Sequence, residues 1–344
     1  MSSAETIVVT GGAGYIGSHT IIQLLQTTGF RVVSIDNYSN SSPDTFRRIE
    51  MITGKKVINH DIDLCDAEKT DAFFRNSPPV RGIIHFAAFK AVGESVQDPK
   101  KYYHNNINSL LNILDCTVKY KVPNFIFSSS CSVYGNIDQL PVKEDTPLGK
   151  AESPYAYTKQ AGEEILKDYA KANPALNTIA LRYFNPVGAH LSGLIGESSI
   201  NKPSNLVPVI TQTAIGKIPQ MTVFGKDYPT RDGTCIRDYI HVTDIADAHV
   251  KAIDFLEQKK SSSNFSIFNL GTGKGVTVLE AIRSFEKVSG KKLNYTIGEK
   301  RKGDVAAIYS DNTFTEKNLG WKPSLSLDDM MSSAWKWELE LQKE

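Results

Sequence analysis

Tyr155 and Lys159 stand four residues apart in Ser153-Pro154-Tyr155-Ala156-Tyr157-Thr158-Lys159. On a helix that spacing puts both side chains on one face. Ser153 suits the N-cap and Pro154 the first helical position, so a helix is expected to open here. A phenol ordinarily titrates near ~10, too high for a base at neutral pH. A neighbouring ammonium favours the phenolate. Lowering the phenol by roughly 3 units takes about 4 kcal/mol of differential stabilisation, within reach of two cations in a partly dry cleft. The pattern Tyr-x-x-x-Lys is also a frequent accident on helices, so it needs context. Upstream, Ser128-Ser129-Ser130 ends an apolar run. A hydroxyl there can bond a substrate oxygen, or simply turn the chain.

The context comes from Gly11-Gly12-Ala13-Gly14-Tyr15-Ile16-Gly17, readable as GxxGxxG from Gly11 or GxGxxG from Gly12. It follows an apolar strand, Thr6–Thr10, and precedes a stretch with helical period through Ile16, Ile21, Leu24 and Leu25. Glycines there let backbone N–H groups approach a pyrophosphate at a helix N-terminus. Asp36 ends the next apolar run, Arg31–Asp36, 19 residues after Gly17. A carboxylate there binds ribose hydroxyls and repels a 2′-phosphate, which favours NAD over NADP. The nicotinamide then supplies the second cation near Tyr155. Asp61 and Ile62 follow the third apolar run and suit an adenine pocket. His85-Phe86-Ala87-Ala88 closes the fourth with residues small enough for a cofactor to pass, and Lys90 follows at once.

These motifs need a sheet to hold them. Further apolar runs at Lys56–Ile62, Gly82–Ala88, Asn124–Ser130 and Thr178–Asn185 alternate with helix-length stretches such as Pro99–Lys119 and Tyr155–Asn173. Such alternation implies a doubly wound parallel α/β sheet. Gly29 falls where a helix C-terminus favours glycine. After about Phe184 glycine, proline and polar residues become frequent. Helices are expected near Asn205–Gly216 and Thr277–Ser289, and strands near Met221–Phe224 and Leu293–Ile297. The expected organisation is a Rossmann-type domain over 1–185 and a smaller α/β substrate domain over 186–344. Residues 240–271, with a helix Asp244–Phe255 and a strand Ile267–Leu270, are expected to pack back on the first. The low-complexity tract is Ser261–Ser263.

Composition narrows the class. The 344 residues carry 39 Lys+Arg against 38 Asp+Glu, a net charge of +1, so no nucleic-acid or membrane partner is expected. No apolar run nears the ~18 residues of a membrane span. The N-terminus lacks the basic region of a signal peptide. Cys65, Cys116, Cys131 and Cys235 are scattered, as are the seven histidines. Neither a disulfide framework nor a metal site is expected, and a cytoplasmic location is.

The segments TGGAGYIG, SSSCSVYG, SPYAYTK, RYFNPVGAH, DYPTRDGTCIRDYIHVTDIADAHV and KGDVAAIYSD together resemble the UDP-glucose 4-epimerases, extended short-chain dehydrogenase/reductases. The resemblance runs from about residue 6 to residue 340. It implies a retained NAD, UDP-galactose and UDP-glucose as substrates, inversion at C4 through a 4-keto sugar, and a homodimer formed through paired helices. Gly11, Gly14, Tyr15, Ile16 and Gly17 match the pyrophosphate loop, Asp36 and Asn37 the ribose contacts, Asp61 and Ile62 the adenine pocket. Phe86, Ala87, Lys90, Asn105, Ser128 and Tyr183 match further cofactor contacts. Ser130, Tyr155 and Lys159 match the catalytic trio. Asn185, Asn205, Leu206, Thr222, Phe224, Arg237, Arg301 and Asp304 fall where the family grips the UDP part.

The residues themselves agree in kind. Arg237 and Arg301 can pair with a diphosphate. Arg237 lies in an apolar setting where it needs a bound anion or a carboxylate such as Asp238. Phe224 either packs near a uracil or belongs to the core. At Ile308 the family tends to carry tyrosine when N-acetylated sugars are refused and a small residue when they are accepted, so isoleucine leaves weak N-acetylated activity open. Related dehydratases and decarboxylases carry an acid just after the fifth-strand serine. Here that place is Cys131-Ser132, which argues against both, whereas epimerases of UDP-pentoses or UDP-uronates stay open. Cys131 and Ala156 depart from the family without touching a proton-transfer group. A non-catalytic NAD-binding sensor is disfavoured, because both Tyr155 and Lys159 are present.

Overall fold

The computed structural model describes residues 5–137, 139–198, 203, 205–258, 263–301 and 304–343. The first half alternates as its apolar runs demand: β1 (Thr6–Thr10), α1 (Tyr15–Thr27), β2 (Arg31–Ile35), α2 (Asp44–Thr53), β3 (Ile58–His60), α3 (Ala67–Asn76), β4 (Val80–His85), α4 (Val92–Gln97), α5 (Pro99–Lys119), β5 (Asn124–Ser130), α6 (Pro154–Ala172), β6 (Asn177–Tyr183) and β7 (Asn185–Val187). The second half contributes α7 (Leu206–Ala214), β8 (Met221–Phe224), β9 (Ile236–His241), α8 (Val242–Glu257), β10 (Phe265–Leu270), β11 (Gly275–Thr277), α9 (Val278–Ser289), β12 (Tyr295–Gly298), β13 (Ala307–Ile308), α10 (Thr313–Leu319) and α11 (Leu327–Leu341).

Seven parallel strands form one sheet in the order β10-β6-β5-β4-β1-β2-β3. Successive side chains of a strand point to opposite faces, and both faces are covered. Ile7, Val9, Ile84, Ile126 and Ile179 join one buried cluster, with Leu24 of α1 and Ile245 of α8. Val8, Ile83, Phe125 and Phe127 join another, with Leu110 of α5 and Leu166 of α6. Double burial is why these strands read as unbroken apolar runs. Strand order reverses between β1 and β4, and ligands of such sheets bind beyond the carboxyl ends of the strands there.

The remaining strands form two small sheets. In one, β7 and β13 run parallel to β9 while β11 pairs with it antiparallel. In the other, β8 pairs with β12. They share a core with α7, α9 and α11 around Val207, Ile210, Val223, Phe285 and Met331. The strand at Ile267–Leu270 proves to be part of β10, the edge of the large sheet, and α8 belongs to that sheet's core rather than to the small sheets.

Several expectations need correcting. Gly29 directly follows the C-cap of α1, the position that favours glycine, but it is not left-handed. The cap is Thr28 in extended conformation, with its N–H and hydroxyl both bonded to the Leu24 carbonyl, so a side-chain hydroxyl does what a left-handed glycine would otherwise do. The third strand is only Ile58–His60, because it pairs on one side alone and lies at the sheet edge. The strand beginning at Thr178 starts one residue earlier and breaks at Phe184 into β6 and β7, which serve different sheets. Of the tract at Ser261–Ser263, residues 261 and 262 lie outside the described residues.

Candidate functional site

Every loop that leaves a carboxyl end of β1, β2, β4 and β5 carries part of the site. After β1, Gly11 turns with φ 69°, and a Cβ there would meet the Ala87 nitrogen at 2.8 Å. Gly17 is equally confined: its Cβ would sit 2.3 Å from the Gly11 carbonyl oxygen. Gly14 is different. A Cβ there would touch only the Gly11 oxygen, at 3.2 Å, and Gly14 caps α1 without any side-chain hydrogen bond. Packing is far less confining here than at Gly11 or Gly17, since one oxygen would have to give by a few tenths of an ångström, and the glycine leaves the α1 N-terminus uncovered. An open helix N-terminus is what a pyrophosphate needs.

At the end of β2, Asp36 accepts from the Ala13 N–H (2.9 Å), the Tyr38 N–H (2.8 Å) and the Ser41 hydroxyl (2.9 Å). Its carboxylate is thus fixed beside the glycine loop, and Asn37 follows it. Asp61 and Ile62 follow β3 at the same edge, Asp61 exposed and Ile62 partly buried. After β4, Phe86 and Ala87 back onto Gly11. These residues fit a dinucleotide with free ribose hydroxyls. Asn105 on α5 turns its amide to Asn106. Lys90 lies with its Nζ 5.6 Å from the Tyr15 ring centre and is paired with Glu197 at 2.8 Å. Tyr15 donates to the Gly188 carbonyl at 2.6 Å, tying the glycine loop to the second half of the chain.

At the end of β5, α6 opens as its sequence dictates, with the Ser153 hydroxyl accepting from the Ala156 N–H and Pro154 in the first turn. The half-buried Tyr155 faces the Ser130 hydroxyl. Burial pushes its phenol up to about 12, with the Ser130 hydrogen bond acting the other way. Lys159 is buried, donates from Nζ to the Ser128 carbonyl at 2.5 Å, and lies 4.8 Å from the Phe127 ring centre and 5.9 Å from that of Tyr155. Burial brings its ammonium down to about 7, opposed by Glu163. The lowered phenol expected from the Tyr-x-x-x-Lys spacing is therefore not what the protein's own groups produce. Desolvation outweighs the Ser130 hydrogen bond, and the Lys159 ammonium is bonded to a carbonyl on β5 and not to the phenol. Tyr183, at the end of β6, is raised by burial and is hydrogen-bonded to His249 Nε2 at 2.7 Å.

A third group lies on β8, β9 and β13. Arg237 donates from Nη1 to the carbonyls of Ile236 and Val305 and approaches Asp304 at 3.4 Å. Its carboxylate is Asp304, not Asp238. Neighbouring strand residues point to opposite faces, and Asp238 is fully buried on the other side. There it accepts from the N–H groups of Thr272, Gly273 and Ser310 and from the hydroxyls of Thr272 and Ser310. Arg301 lies over Phe224, its guanidinium carbon 3.9 Å from the ring centre, so Phe224 is neither free nor simply core. Thr222 is exposed beside it on β8. Among the described residues the buried Asn185 side-chain oxygen has no hydrogen-bond partner, so it is available to a donor on a bound ligand. Asn205 caps α7, immediately before Leu206, and donates to Glu197 at 2.9 Å. Ile308 is Arg237's register partner and is buried among Val133, Tyr134, Val142 and Phe184. Cys131 packs on that same cluster, and the Arg237 charge and burial act on its thiol in opposite senses, burial prevailing at about 12. Cys131 thus joins the Tyr155 group to the Arg237 group.

Sequence reasoning missed Glu197, which receives both Lys90 and Asn205, and His249 behind Tyr183. Lys90 lies 107 residues from Glu197 and Tyr183 lies 66 from His249, and no local signal marks either pairing. Glu163 also went unnoticed, though it lies at the next four-residue step after Lys159 on α6. Among the described residues, no group of three or more potential metal ligands occurs, and no helix is long and apolar enough to cross a membrane.

Residues 7–271 match the family described as the NAD dependent epimerase/dehydratase family. The chain is 46% identical over 339 residues to a UDP-glucose 4-epimerase of Drosophila melanogaster, covering 97% of this chain and 96% of that protein. It superposes on a UDP-glucose 4-epimerase from Bifidobacterium longum, solved with NAD+ and UDP, with a TM-score of 0.92 and 46% identity over 97% of this chain and 98% of that one. The corresponding values for a UDP-glucose-4-epimerase from Stenotrophomonas maltophila, with NAD and formylated UDP-arabinopyranose, are 0.94 and 42%, over 98% and 99%.

Proposed function

We propose that this chain, which belongs to the NAD dependent epimerase/dehydratase family, is an isomerase that interconverts UDP-galactose and UDP-glucose by inverting C4 through a transient 4-keto sugar. The observation that carries this reading is Tyr155 set against Ser130 with Lys159 one turn on, at the sheet edge that also bears the open glycine loop. Residues 1–185 serve as the NAD-binding half and 186–344 as the UDP-sugar half. Gly11, Gly14, Tyr15, Ile16 and Gly17 hold the pyrophosphate, and Asp36 and Asn37 the adenine-side ribose. Asp61 and Ile62 flank the adenine, and Phe86, Ala87, Lys90, Asn105, Ser128 and Tyr183 line the remainder.

NAD, when bound, supplies a carrier that takes the C4 hydride and gives it back. The chain handles the proton. Tyr155 Oη takes it from the sugar 4-hydroxyl and returns it after inversion, while the Ser130 hydroxyl bonds the 4-oxygen. A phenol near 12 must be brought toward 7, which takes about 7 kcal/mol. The Lys159 ammonium contributes part of this, and the positive nicotinamide ring is expected to contribute the rest. Arg237 and Arg301 grip the diphosphate while the keto sugar turns over. Asn185, Asn205, Leu206, Thr222, Phe224 and Asp304 hold the uridine end. Glu163 and Asp238 are engaged by hydrogen bonds, and the place after Ser130 holds Cys131 and Ser132, not the acid that would assist the water loss of a dehydratase.

The protein is expected to act in the cytoplasm as a homodimer. Helices α5 and α6 pack together and expose Tyr103 and Tyr157, whose ring centres are 6.0 Å apart, and a second copy covers them. Adding UDP-galactose to the purified protein without NAD, followed by product analysis, tests the activity. UDP-glucose is the expected product. No conversion even with added NAD overturns the hexose assignment, and turnover of UDP-pentoses or N-acetylated sugars alone redirects it. An absence of any NADH absorbance with every sugar nucleotide leaves the non-catalytic sensor.

A further inference from the structure

The three serines that end β5 face different partners. Ser130 meets Tyr155, and the Ser128 carbonyl meets Lys159. Ser129 is buried, and its hydroxyl donates to Glu163. Glu163 in turn receives Arg182, from Nε at 2.9 Å and from Nη2 at 2.7 Å, with both side chains 3% exposed. Arg182 Nη1 continues to the Tyr134 hydroxyl at 2.9 Å. An ion pair this deep is a poor device for stability, since desolvation offsets most of its attraction and apolar side chains would serve as well. Its place suggests another use. Glu163 follows Lys159 by four residues on α6, and so lies directly beyond it on the same helical face.

We propose that Glu163 is a positioning residue for the reaction: its carboxylate ties the end of β5 to α6 through Ser129 and sets the charge of Lys159 from beneath. The surroundings of Lys159 leave that task to Glu163. From α6 it faces Tyr155, a neutral phenol, and Glu163. From β5 it faces the Phe127 ring and the Ser128 carbonyl. From β4 it faces His85, which burial and the Lys159 charge itself push down to about 3, so the imidazole is neutral. On β6, Arg182 is bonded to both Glu163 oxygens. Among the described residues, Glu163 is the anion acting against the desolvation of Lys159. Ser129 cannot slide without breaking its bond to Glu163, and Ser128 and Ser130 are its covalent neighbours.

This inference rests on the roles given above to Tyr155 and Lys159. The test is Glu163→Gln in the NAD-loaded protein, read two ways: the pH dependence of kcat for UDP-galactose, and direct titration of the Lys159 ammonium by lysine-selective nitrogen NMR. Glutamine keeps one acceptor oxygen, for the Ser129 hydroxyl and Arg182 Nε, but loses the acceptor of Arg182 Nη2, removes the anion and leaves Arg182 uncompensated. Both effects lower the Lys159 midpoint. It is expected to fall by about one unit or more, with the alkaline limb of kcat moving down alongside it. Ser129→Ala, which keeps the charge pair, is expected to leave the Lys159 midpoint in place. If Glu163→Gln does not fold, Glu163→Gln with Arg182→Gln removes both charges, and a smaller shift in the same direction is expected. A Lys159 midpoint unchanged in the folded variant, with kcat reduced equally at every pH, is what a merely structural role gives and overturns the proposal. A midpoint that moves while Tyr155→Phe stays active sinks the general-base reading and leaves this one standing.

Discussion

Lys159 Nζ donates to the carbonyl oxygen of Ser128 at 2.5 Å and lies 5.9 Å from the centre of the Tyr155 ring. The ammonium is therefore anchored on β5 and acts on the phenol through space. In the proposed mechanism that separation makes its charge, not a hydrogen bond to Tyr155, the quantity that acts on the phenol.

Lys159 has a consequence for stability with a definite sign. Its native ammonium titrates near 7 against 10.5 unperturbed, so above about pH 7 the unfolded chain binds the extra proton and stability rises with pH. Burying Lys159 costs about 4 kcal/mol at neutral pH and almost nothing once the pH reaches its unperturbed value. Lys159→Met is expected to abolish turnover yet raise the denaturant midpoint at neutral pH. The gain shrinks as pH rises toward 10.5. A gain that stays constant with pH contradicts the lowered ammonium.

Tyr155→Phe removes the proposed proton acceptor and little else, since the ring's packing is retained. A loss in kcat of roughly 10²–10⁴-fold is expected, with NAD still copurifying. Near-normal turnover, measured by conversion of UDP-galactose, removes Tyr155 from the mechanism.

The glycines of the first loop separate by what a Cβ would meet. Gly17→Ala drives a methyl into the Gly11 carbonyl and is expected to lower both Tm and NAD content. Gly14→Ala meets that oxygen at 3.2 Å and nothing else, so Tm should hold while NAD affinity falls about tenfold or more through the covered helix end. NAD content in Gly14→Ala equal to that of the unsubstituted protein would refute the reading of Gly14.

Arg237→Ala removes the cation proposed to face the diphosphate. A charge-assisted hydrogen bond is worth about 1.5–3 kcal/mol, so KM for UDP-galactose should rise roughly tenfold to a hundredfold, with a smaller change in kcat. Asp304→Ala frees one end of Arg237 but leaves its bonds to the Ile236 and Val305 carbonyls, and a milder rise is expected. The reverse order, read from initial rates, rejects the pairing as part of the substrate grip.

Ile308→Tyr inserts a larger ring among Val133, Tyr134, Val142 and Phe184, where overpacking costs about 1–3 kcal/mol. If Ile308 governs the room beside the sugar, activity on UDP-N-acetylglucosamine disappears while that on UDP-galactose persists. An unchanged ratio of the two rates shows that the side chain is core alone.

The sequence by itself determined the parts whose physics is local. An apolar run followed by glycines and a helical period specifies a strand, a tight turn and an open helix end within residues 6–27. Ser153, Pro154, Tyr155 and Lys159 carry their own cap and their own common face. The alternation of runs and helices specifies the parallel sheet, because only double burial accounts for strands with no polar face. Tertiary structure alone decided the pairings across the chain. Arg237 takes Asp304 and not its neighbour Asp238, because pleating turns adjacent strand residues apart. Lys90 and Asn205 both meet Glu197, and Tyr183 meets His249. It also decided the balance at Tyr155 and Lys159, since desolvation depends on how many atoms the whole fold brings around a group, and spacing along one helix carries no record of that.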